Sequence, residues 1–172
     1  KGLFLIVDTG KNRLTVRDGE TVVREVVVSC GSGGVLEDPK GGRTWVFDTP
    51  RGERQIKSKV KNPTWIKPDW AFIEEGESIP KKYGDRAEEG VMGDYALGIG
   101  NGYFLHGTLY TRLLGRNVTH GCVRIGDADL DEHEDPDQRE GDPESGRVQL
   151  ADRSVFAEAR GEDRVLQLED GP

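Results

Sequence analysis

The stretch LFLIVDTGKNRLTVRDGETVVREVVVS, residues 3–29, decides the fold class. It opens with the continuous apolar run LFLIV, which ends in a turn cluster of polar residues and glycine. Leu14 and Val16 then alternate with polar residues, as on a half-buried strand. Asp18-Gly19 is a strong hairpin signal, and residues 21–29 are rich in β-branched side chains. The stretch therefore predicts a meander of three strands joined by tight turns.

Strand signals continue through the rest of the chain. They are short β-branched or alternating runs at positions 44–47, 55–60, 97–105 and 164–168. Residues 62–89 predict an irregular segment that holds Trp65 and Trp70, each near a proline. Residues 154–160 have helical spacing, and Gly161 follows as a stop signal. The pattern predicts a mainly β protein with one or two short helices.

Composition limits the classes of function. The chain has 172 residues, 34% of them hydrophobic and 33% charged, with a formal net charge of −8. This length fits a single domain. A nucleic-acid binder would show a basic stripe, so we expect no nucleic-acid partner. The chain has no apolar run of about 18 residues, so we expect no transmembrane segment.

Acidic residues are concentrated near the C-terminal end. Residues 127–146 are dense in Asp and Glu, with two prolines and few apolar residues. Such a segment buries too little apolar surface to offset an ordering entropy of about 1–2 kcal/mol per residue. It predicts a solvated, mobile loop. We therefore expect one domain over residues 1–172 that carries an acidic, mobile insertion at residues 131–150.

Reactive side chains are concentrated in HGTLYTRLLGRNVTHGCVR, residues 106–124. The stretch holds His106, His120 and Cys122, and glycine follows each histidine. A thiol with a free pKa of about 8.5 needs activation, and a nearby imidazole is the usual means. The backbone amides around Gly121 and Cys122 are candidate donors to an oxyanion. A Cys/His pair for acyl transfer is the first hypothesis.

Three other interpretations remain open from the residues alone. Cys122 could be an inert buried thiol, with the histidines as polar strand ends. It could pair with Cys30 in a disulfide, although two distant cysteines do not make a disulfide framework. His106, His120 and Cys122 could also bind zinc together with His133, although no familiar ligand spacing supports this.

The two-part motif resembles the signature of the L,D-transpeptidase catalytic domain, the YkuD-like family. Its parts are the HGT that begins at His106, a spacer containing Leu114-Gly115, and THGCVR at residues 119–124. The TPRG turn at residues 49–52 and GDYAL at residues 93–97 are similar to further family elements. The resemblance covers residues 3–126 and implies a single mixed-sheet β-sandwich-like domain with a crevice over the cysteine.

The resemblance also implies a role for each motif residue. Cys122 would be the nucleophile that forms a thioester, and His106 its general base. The carbonyl of Gly107 would orient that imidazole, and His120 would flank and tune the thiol. The amides of Gly121 and Cys122 would form the oxyanion hole.

Four residues are expected to contact the substrate or anchor the site: Arg124, Trp65, Tyr95 and Thr108. Two departures from the family pattern stand out. Thr119 replaces the commoner serine and keeps the hydroxyl, and Cys30 stands where threonine is frequent.

The implied activity is peptidoglycan L,D-transpeptidation without a metal or cofactor. A tetrapeptide stem would acylate Cys122, and an acceptor amine from another stem or from a lipoprotein would resolve the thioester. The alternatives are a peptidoglycan L,D-carboxypeptidase or amidase-type hydrolase, with water as the acceptor, and a catalytically silent wall-binding domain. The family implies export to the periplasm or cell envelope, and the oligomeric state remains open.

Overall fold

The computed structural model describes residues 3–131 and 147–151. Its strands are β1 (Leu3–Asp8), β2 (Arg13–Asp18), β3 (Thr21–Gly31), β4 (Val35–Glu37), β5 (Thr44–Val46), β6 (Gly52–Gln55), β7 (Ser58–Lys61), β8 (Trp65–Ile66), β9 (Ala87–Glu88), β10 (Tyr95–Gly100), β11 (Tyr103–Thr108), β12 (Asn117–Thr119), β13 (Val123–Gly126) and β14 (Arg147–Ala151). The helices are α1 (Asp69–Glu74) and α2 (Asp127–Asp131), with 3₁₀ turns at Tyr83–Arg86 and Thr111–Leu113. Neither α-helix in the described part of the chain is long and apolar enough to cross a bilayer.

Ten of these strands form one curled mixed sheet. Nine follow the order β6-β14-β1-β2-β3-β13-β11-β10-β7, and β12 pairs with β3 off this path. The pairs β1–β14, β11–β13 and β12–β3 are parallel, and the other pairs in the sheet are antiparallel. The predicted mainly β, mixed-sheet, sandwich-like architecture with two short helices is confirmed.

The N-terminal meander forms as its sequence predicts. β1 and β2 pair with Asp8 opposite Arg13, and the Asp8 carboxylate accepts hydrogen bonds from the amides of Gly10 and Lys11 across the turn. β2 and β3 pair with Asp18 opposite Thr21. Gly19 turns this hairpin at φ 57°, a conformation that glycine adopts at little cost.

The long strand β3 joins the two halves of the sheet, because it pairs with β2 on one side and β13 on the other. The halves curl over one apolar cluster. Its buried members are Val7, Leu14, Val16, Val26, Val28, Cys30, Ile99, Leu105, Val123 and Ile125. β11 and β13 therefore each have a face toward the core and a face turned away from it, and His106 and Arg124 lie on these two strands.

Residues 62–89 are more regular than expected, because they contain β8, α1 and β9. Ion pairs hold this segment in place. Arg43 bridges Asp38, at 2.8 Å, and Asp69 at the start of α1, at 2.6 Å. The nearly buried Lys67 ammonium contacts Glu75 and Glu77 beyond the end of the helix. These contacts tie α1 to the loop between β4 and β5 and to the residues just before the helix.

Regular structure occupies parts of the acidic stretch that was predicted to be a loop at residues 127–146 and an insertion at residues 131–150. Residues 147–151 form β14, which pairs with β1 and β6 inside the sheet. Residues 127–131 form α2, and Asp127 at its start is only 7% exposed. An ion pair of 2.7 Å between Arg24 and Asp129 ties α2 to β3. Residues 132–146, the predicted helix at 154–160 and the predicted strand at 164–168 lie outside the described residues.

Candidate active site

The register of two parallel strands places the candidate base beside Arg124, on the face of the sheet turned away from the core. His106 of β11 lies opposite Arg124 of β13, and Leu105 lies opposite Val123. Leu105 and Val123 are fully buried in the core. Because side chains alternate along a strand, His106 and Arg124 face away from that core. Cys122 comes just before β13, and its thiol hydrogen-bonds with the backbone of Phe104 on β11 and interacts with the charge of Arg124.

The imidazole of His106 is buried and held by the backbone. It is 5% exposed, and its Nδ1 lies 2.8 Å from the carbonyl oxygen of Gly107. A carbonyl only accepts, so Nδ1 carries the proton and Nε2 is left as the basic nitrogen. Burial lowers the pKa of His106 to about 4, and the positive charge of Arg124 lowers it further. Hydrogen bonds to the backbone of Gly107 and Met92 raise this pKa but do not outweigh burial. His106 is therefore a neutral base at pH 7.

The thiol of Cys122 is also in its neutral form at rest. Burial raises its pKa above the ordinary thiol value, while a hydrogen bond with the Phe104 backbone and the charge of Arg124 act in the opposite direction. A neutral thiol and a neutral imidazole can exchange a proton as an electrophile arrives. The positive charge of Arg124 favours the thiolate that this exchange produces.

Two threonines hold the loop at residues 119–122. The Thr119 hydroxyl donates to the Cys122 carbonyl at 2.6 Å and accepts from the Gly121 amide at 3.2 Å. The Thr49 hydroxyl donates to the Gly121 carbonyl at 2.9 Å and accepts from the Gly31 amide at 2.8 Å. The Gly121 amide, one of two predicted oxyanion donors, is thus engaged by Thr119 in this structure.

Glycine is required at position 121. Its φ is 111°, which L side chains rarely adopt. A Cβ there would lie 2.6 Å from the Tyr103 ring and 2.9 Å from the Asp48 carbonyl oxygen. The cysteine loop can therefore pack against β11 and the TPRG turn only because this position has no side chain.

His120 lies in a separate environment formed by α1 and the loop after β5. Its Nε2 is 2.8 Å from a carboxylate oxygen of Glu74. Its ring stacks on Trp70, with centroids 4.3 Å apart, and meets Phe47 edge-on at 4.5 Å. The ring is therefore fixed by packing as well as by a hydrogen bond.

A buried carboxylate supports the backbone behind His106. Asp127 accepts a hydrogen bond from the Asp94 amide at 3.2 Å. The same carboxylate occupies the space that a Cβ on Gly93 or Gly107 would need. This close approach explains the glycines of the HGT and GDYAL elements.

The predicted substrate residues differ in position. Arg124 shares a face with His106 and has no ion-pair partner within residues 3–130. Trp65 reaches the site indirectly, because its ring lies 6.2 Å from Trp70. Lys61 lies over the Tyr95 ring on β10. Thr108 is buried, and its hydroxyl accepts a hydrogen bond from the Tyr110 amide. These contacts do not connect Tyr95 or Thr108 with Cys122, so their roles stay predictions.

Both cysteines are free, which contradicts the disulfide alternative. Cys30 belongs to the core, and burial raises its pKa to about 12. It shares the core face of β3 with Val28, whose partner Ile125 is also in the core. The Cys30 thiol therefore lies in the core. Within the described residues, no three His, Cys, Asp or Glu side chains are grouped so that they could hold a metal ion; His133 lies outside them.

Three contacts of the site were not predicted from the sequence. They are the hydrogen bond from Thr49 to the cysteine loop, the packing of Asp127 against Gly93 and Gly107, and the hydrogen bond between Glu74 and His120. The TPRG turn was recognised, but not that its threonine reaches the cysteine loop. Asp127 was assigned to the mobile acidic loop predicted at residues 127–146. Glu74 lies 46 positions before His120, and no local pattern joins them.

Comparison with known proteins identifies the family of the chain. Residues 3–133 match the YkuD family, described as the L,D-transpeptidase catalytic domain. The probable L,D-transpeptidase YbiS of Escherichia coli is 30% identical over 125 residues, covering 64% of this chain and 40% of that protein. The probable L,D-transpeptidase ErfK/SrfK of Salmonella typhimurium is 29% identical over 149 residues, covering 82% of this chain and 46% of that protein. The chain thus spans less than half the length of these curated relatives.

Solved structures have the same fold. An L,D-transpeptidase from Xylanimonas cellulosilytica aligns with a TM-score of 0.59 at 22% identity, covering 88% of this chain and 61% of the other. The catalytic domain of the Enterococcus faecium L,D-transpeptidase aligns with a TM-score of 0.56 at 15% identity, covering 87% of this chain and 96% of the other. Because the family match extends over more than half of the residues, this chain belongs to the YkuD family of L,D-transpeptidase catalytic domains.

Proposed function

We propose that this chain is a cysteine acyltransferase that acts as a peptidoglycan L,D-transpeptidase. The proposal rests on His106 of β11, whose Nδ1 is held by the Gly107 carbonyl, and on the Cys122 thiol, which hydrogen-bonds with the Phe104 backbone of the same strand. A nucleophile, a base and an orienting acceptor are the parts that thiol acyl transfer needs. The donor is a tetrapeptide stem, and the site lies in the periplasm or cell envelope.

Acylation begins when the donor carbonyl reaches Cys122. The thiol proton moves to Nε2 of His106, and the sulfur attacks the carbonyl carbon. The Cys122 amide donates to the oxyanion, and the Gly121 amide joins it after release from Thr119. His106 then protonates the leaving amine of the terminal D-residue, which leaves a thioester on Cys122.

Arg124 is the candidate group for recognising the donor. It shares the face of His106, and its charge is not neutralised by a carboxylate within residues 3–130. The D-residue that leaves carries a free carboxylate, and a guanidinium binds such a group well. Arg124 thus supports a donor that ends in a carboxylate.

The experiment is product analysis with a defined tetrapeptide stem, with and without a diamino-acid acceptor. A transpeptidase releases the terminal D-residue and yields a cross-linked product only when the acceptor is present. A carboxypeptidase yields the shortened stem in both reactions, and a silent wall-binding domain releases nothing. A Cys122→Ala variant that retains release would contradict the proposal.

A further inference from the structure

The site contains a second oriented imidazole besides His106. His120 is held on Nε2 by Glu74, and its ring is fixed between Trp70 and Phe47. No hydrogen bond to Nδ1 of His120 is made within residues 3–130. A histidine with one nitrogen held by a carboxylate and the other free is arranged as a general base.

The two imidazoles differ in their access to solvent. The His106 side chain on β11 is buried, at 5% exposure. The side chains of His120 and Glu74 are 30% and 46% exposed. A proton taken up by His120 can therefore pass directly to water, whereas one on His106 cannot.

Glu74 lies at a position where its charge does not stabilise helix α1. It is the last residue of α1, which has no basic residue in its last turn. A negative charge at the C-terminal end of a helix is unfavourable, because the carbonyl groups there carry partial negative charge. A cationic imidazolium on His120 would offset this cost. Glu74 is the charged side chain that contacts the ring within the described residues, and the other contacts are aromatic.

The second half-reaction needs such a base. An aliphatic amine has a pKa near 10, so the acceptor arrives as an ammonium ion and must lose a proton before it attacks. His106 has by then given its proton to the first leaving group, and it lies buried on the thiol side. The incoming acceptor would meet the solvent-facing pair first.

Building on the function proposed above, we propose that His120 and Glu74 form the acceptor-side base, which binds the acceptor ammonium and removes its proton. Nδ1 of His120 takes one proton, and Glu74 stabilises the resulting imidazolium. The free amine attacks the thioester carbonyl carbon, so a C–N bond forms and the C–S bond breaks. Cys122 leaves as a thiolate, and the second amine proton returns to it through His106. His120 then releases its proton to water.

The test separates the two half-reactions in wild type, Glu74→Gln and the control Glu89→Gln. Glu89 is exposed, and the Glu89→Gln substitution removes the same charge at a position that does not contact His120. Acylation is measured as the appearance of the acyl-enzyme mass with a carbapenem or a stem donor. Aminolysis of the preformed thioester is then measured at pH 7 with two acceptors, a lysine-type amine and hydroxylamine, which is already neutral at that pH.

We expect Glu74→Gln to acylate within about twofold of wild type and to lose at least about tenfold in aminolysis by the lysine-type amine. Aminolysis by hydroxylamine should change much less, and alkaline pH should restore the lysine-type reaction. Glu89→Gln should match wild type throughout. If the melting temperature shows that Glu74→Gln is unfolded, His120→Gln should lose more in aminolysis by the lysine-type amine than it loses in acylation.

Two results would overturn the inference. Acylation that falls in parallel with aminolysis would mean that the pair only shapes the cysteine loop. Equal loss with both acceptors would mean that proton removal is not its task. Failure of the proposed function is distinguishable from both, because wild type would then form no acyl-enzyme at all.

Discussion

Acid titration of His106 offers a stability test that needs no substrate. Burial lowers its folded pKa from 6.5 to about 4. Between these values the unfolded chain binds a proton that the folded protein does not. The unfolding free energy therefore falls as the pH decreases through this window, and His106 adds no pH dependence above about pH 6.5. Replacing His106 by Gln removes the titrating group and should remove this component.

The size of the effect follows from the two pKa values. One pKa unit corresponds to about 1.4 kcal/mol, so the loss attributable to His106 is about 3 kcal/mol by pH 4. Asp38 and Asp69 act at lower pH, because hydrogen bonds from Lys40 and Arg43 hold their respective folded pKa values below the ordinary 3.8. Their stabilising contributions are lost mainly below the window of His106.

Urea unfolding followed by tryptophan fluorescence from pH 7.5 to pH 4 measures this difference. The wild type should lose about 3 kcal/mol more than His106→Gln over that range. Wild-type and His106→Gln profiles that stay parallel within about 0.5 kcal/mol would refute a desolvated, neutral His106.

Three further outcomes are expected. His106→Ala should slow acylation by about 10²–10⁴-fold, with partial recovery at high pH as the thiolate forms directly, whereas His120→Ala should slow it less; acylation rates against pH would show reversed roles if His120→Ala were the dead variant that alkali restores. Thr49→Val should cost about 1–3 kcal/mol in urea unfolding because it leaves the Gly31 amide and the Gly121 carbonyl unpaired, and Thr49→Ser should retain most of the stability; a neutral Thr49→Val would contradict the clamp. Activity should survive exhaustive chelation with EDTA, because each proposed step uses a thiol, imidazoles and backbone donors; loss that zinc restores would instead support a metal site.

Local signals predicted the parts of the fold that local chemistry determines. The strands of the meander and the hairpin at Asp18-Gly19 follow from side-chain alternation and turn preference. Helix α1 was not predicted, because a six-residue helix has little intrinsic stability. It depends on Asp69 with Arg43 and on Trp70 against Phe47, contacts that no sequence window contains.

The acidic segment shows where composition misleads. β14 was assigned to a mobile insertion because acidic residues precede it, although RVQLA alternates like a strand. Its partners β1 and β6 are distant in sequence, so pairing could not be read locally. In the site, the motif indicated His106 and Cys122 together, whereas Glu74 meets His120 only through the placement of α1.

The central claim is that Cys122 is the acylated nucleophile, and the mass of the intact protein tests it most directly. Wild type, Cys122→Ala and Cys30→Ala are incubated with a carbapenem, whose strained carbonyl acylates reactive thiols. We predict one adduct on wild type and on Cys30→Ala, and none on Cys122→Ala, because Cys30 is 1% exposed in the core and its pKa is raised to about 12. An adduct that persists in Cys122→Ala and disappears in Cys30→Ala would contradict the account.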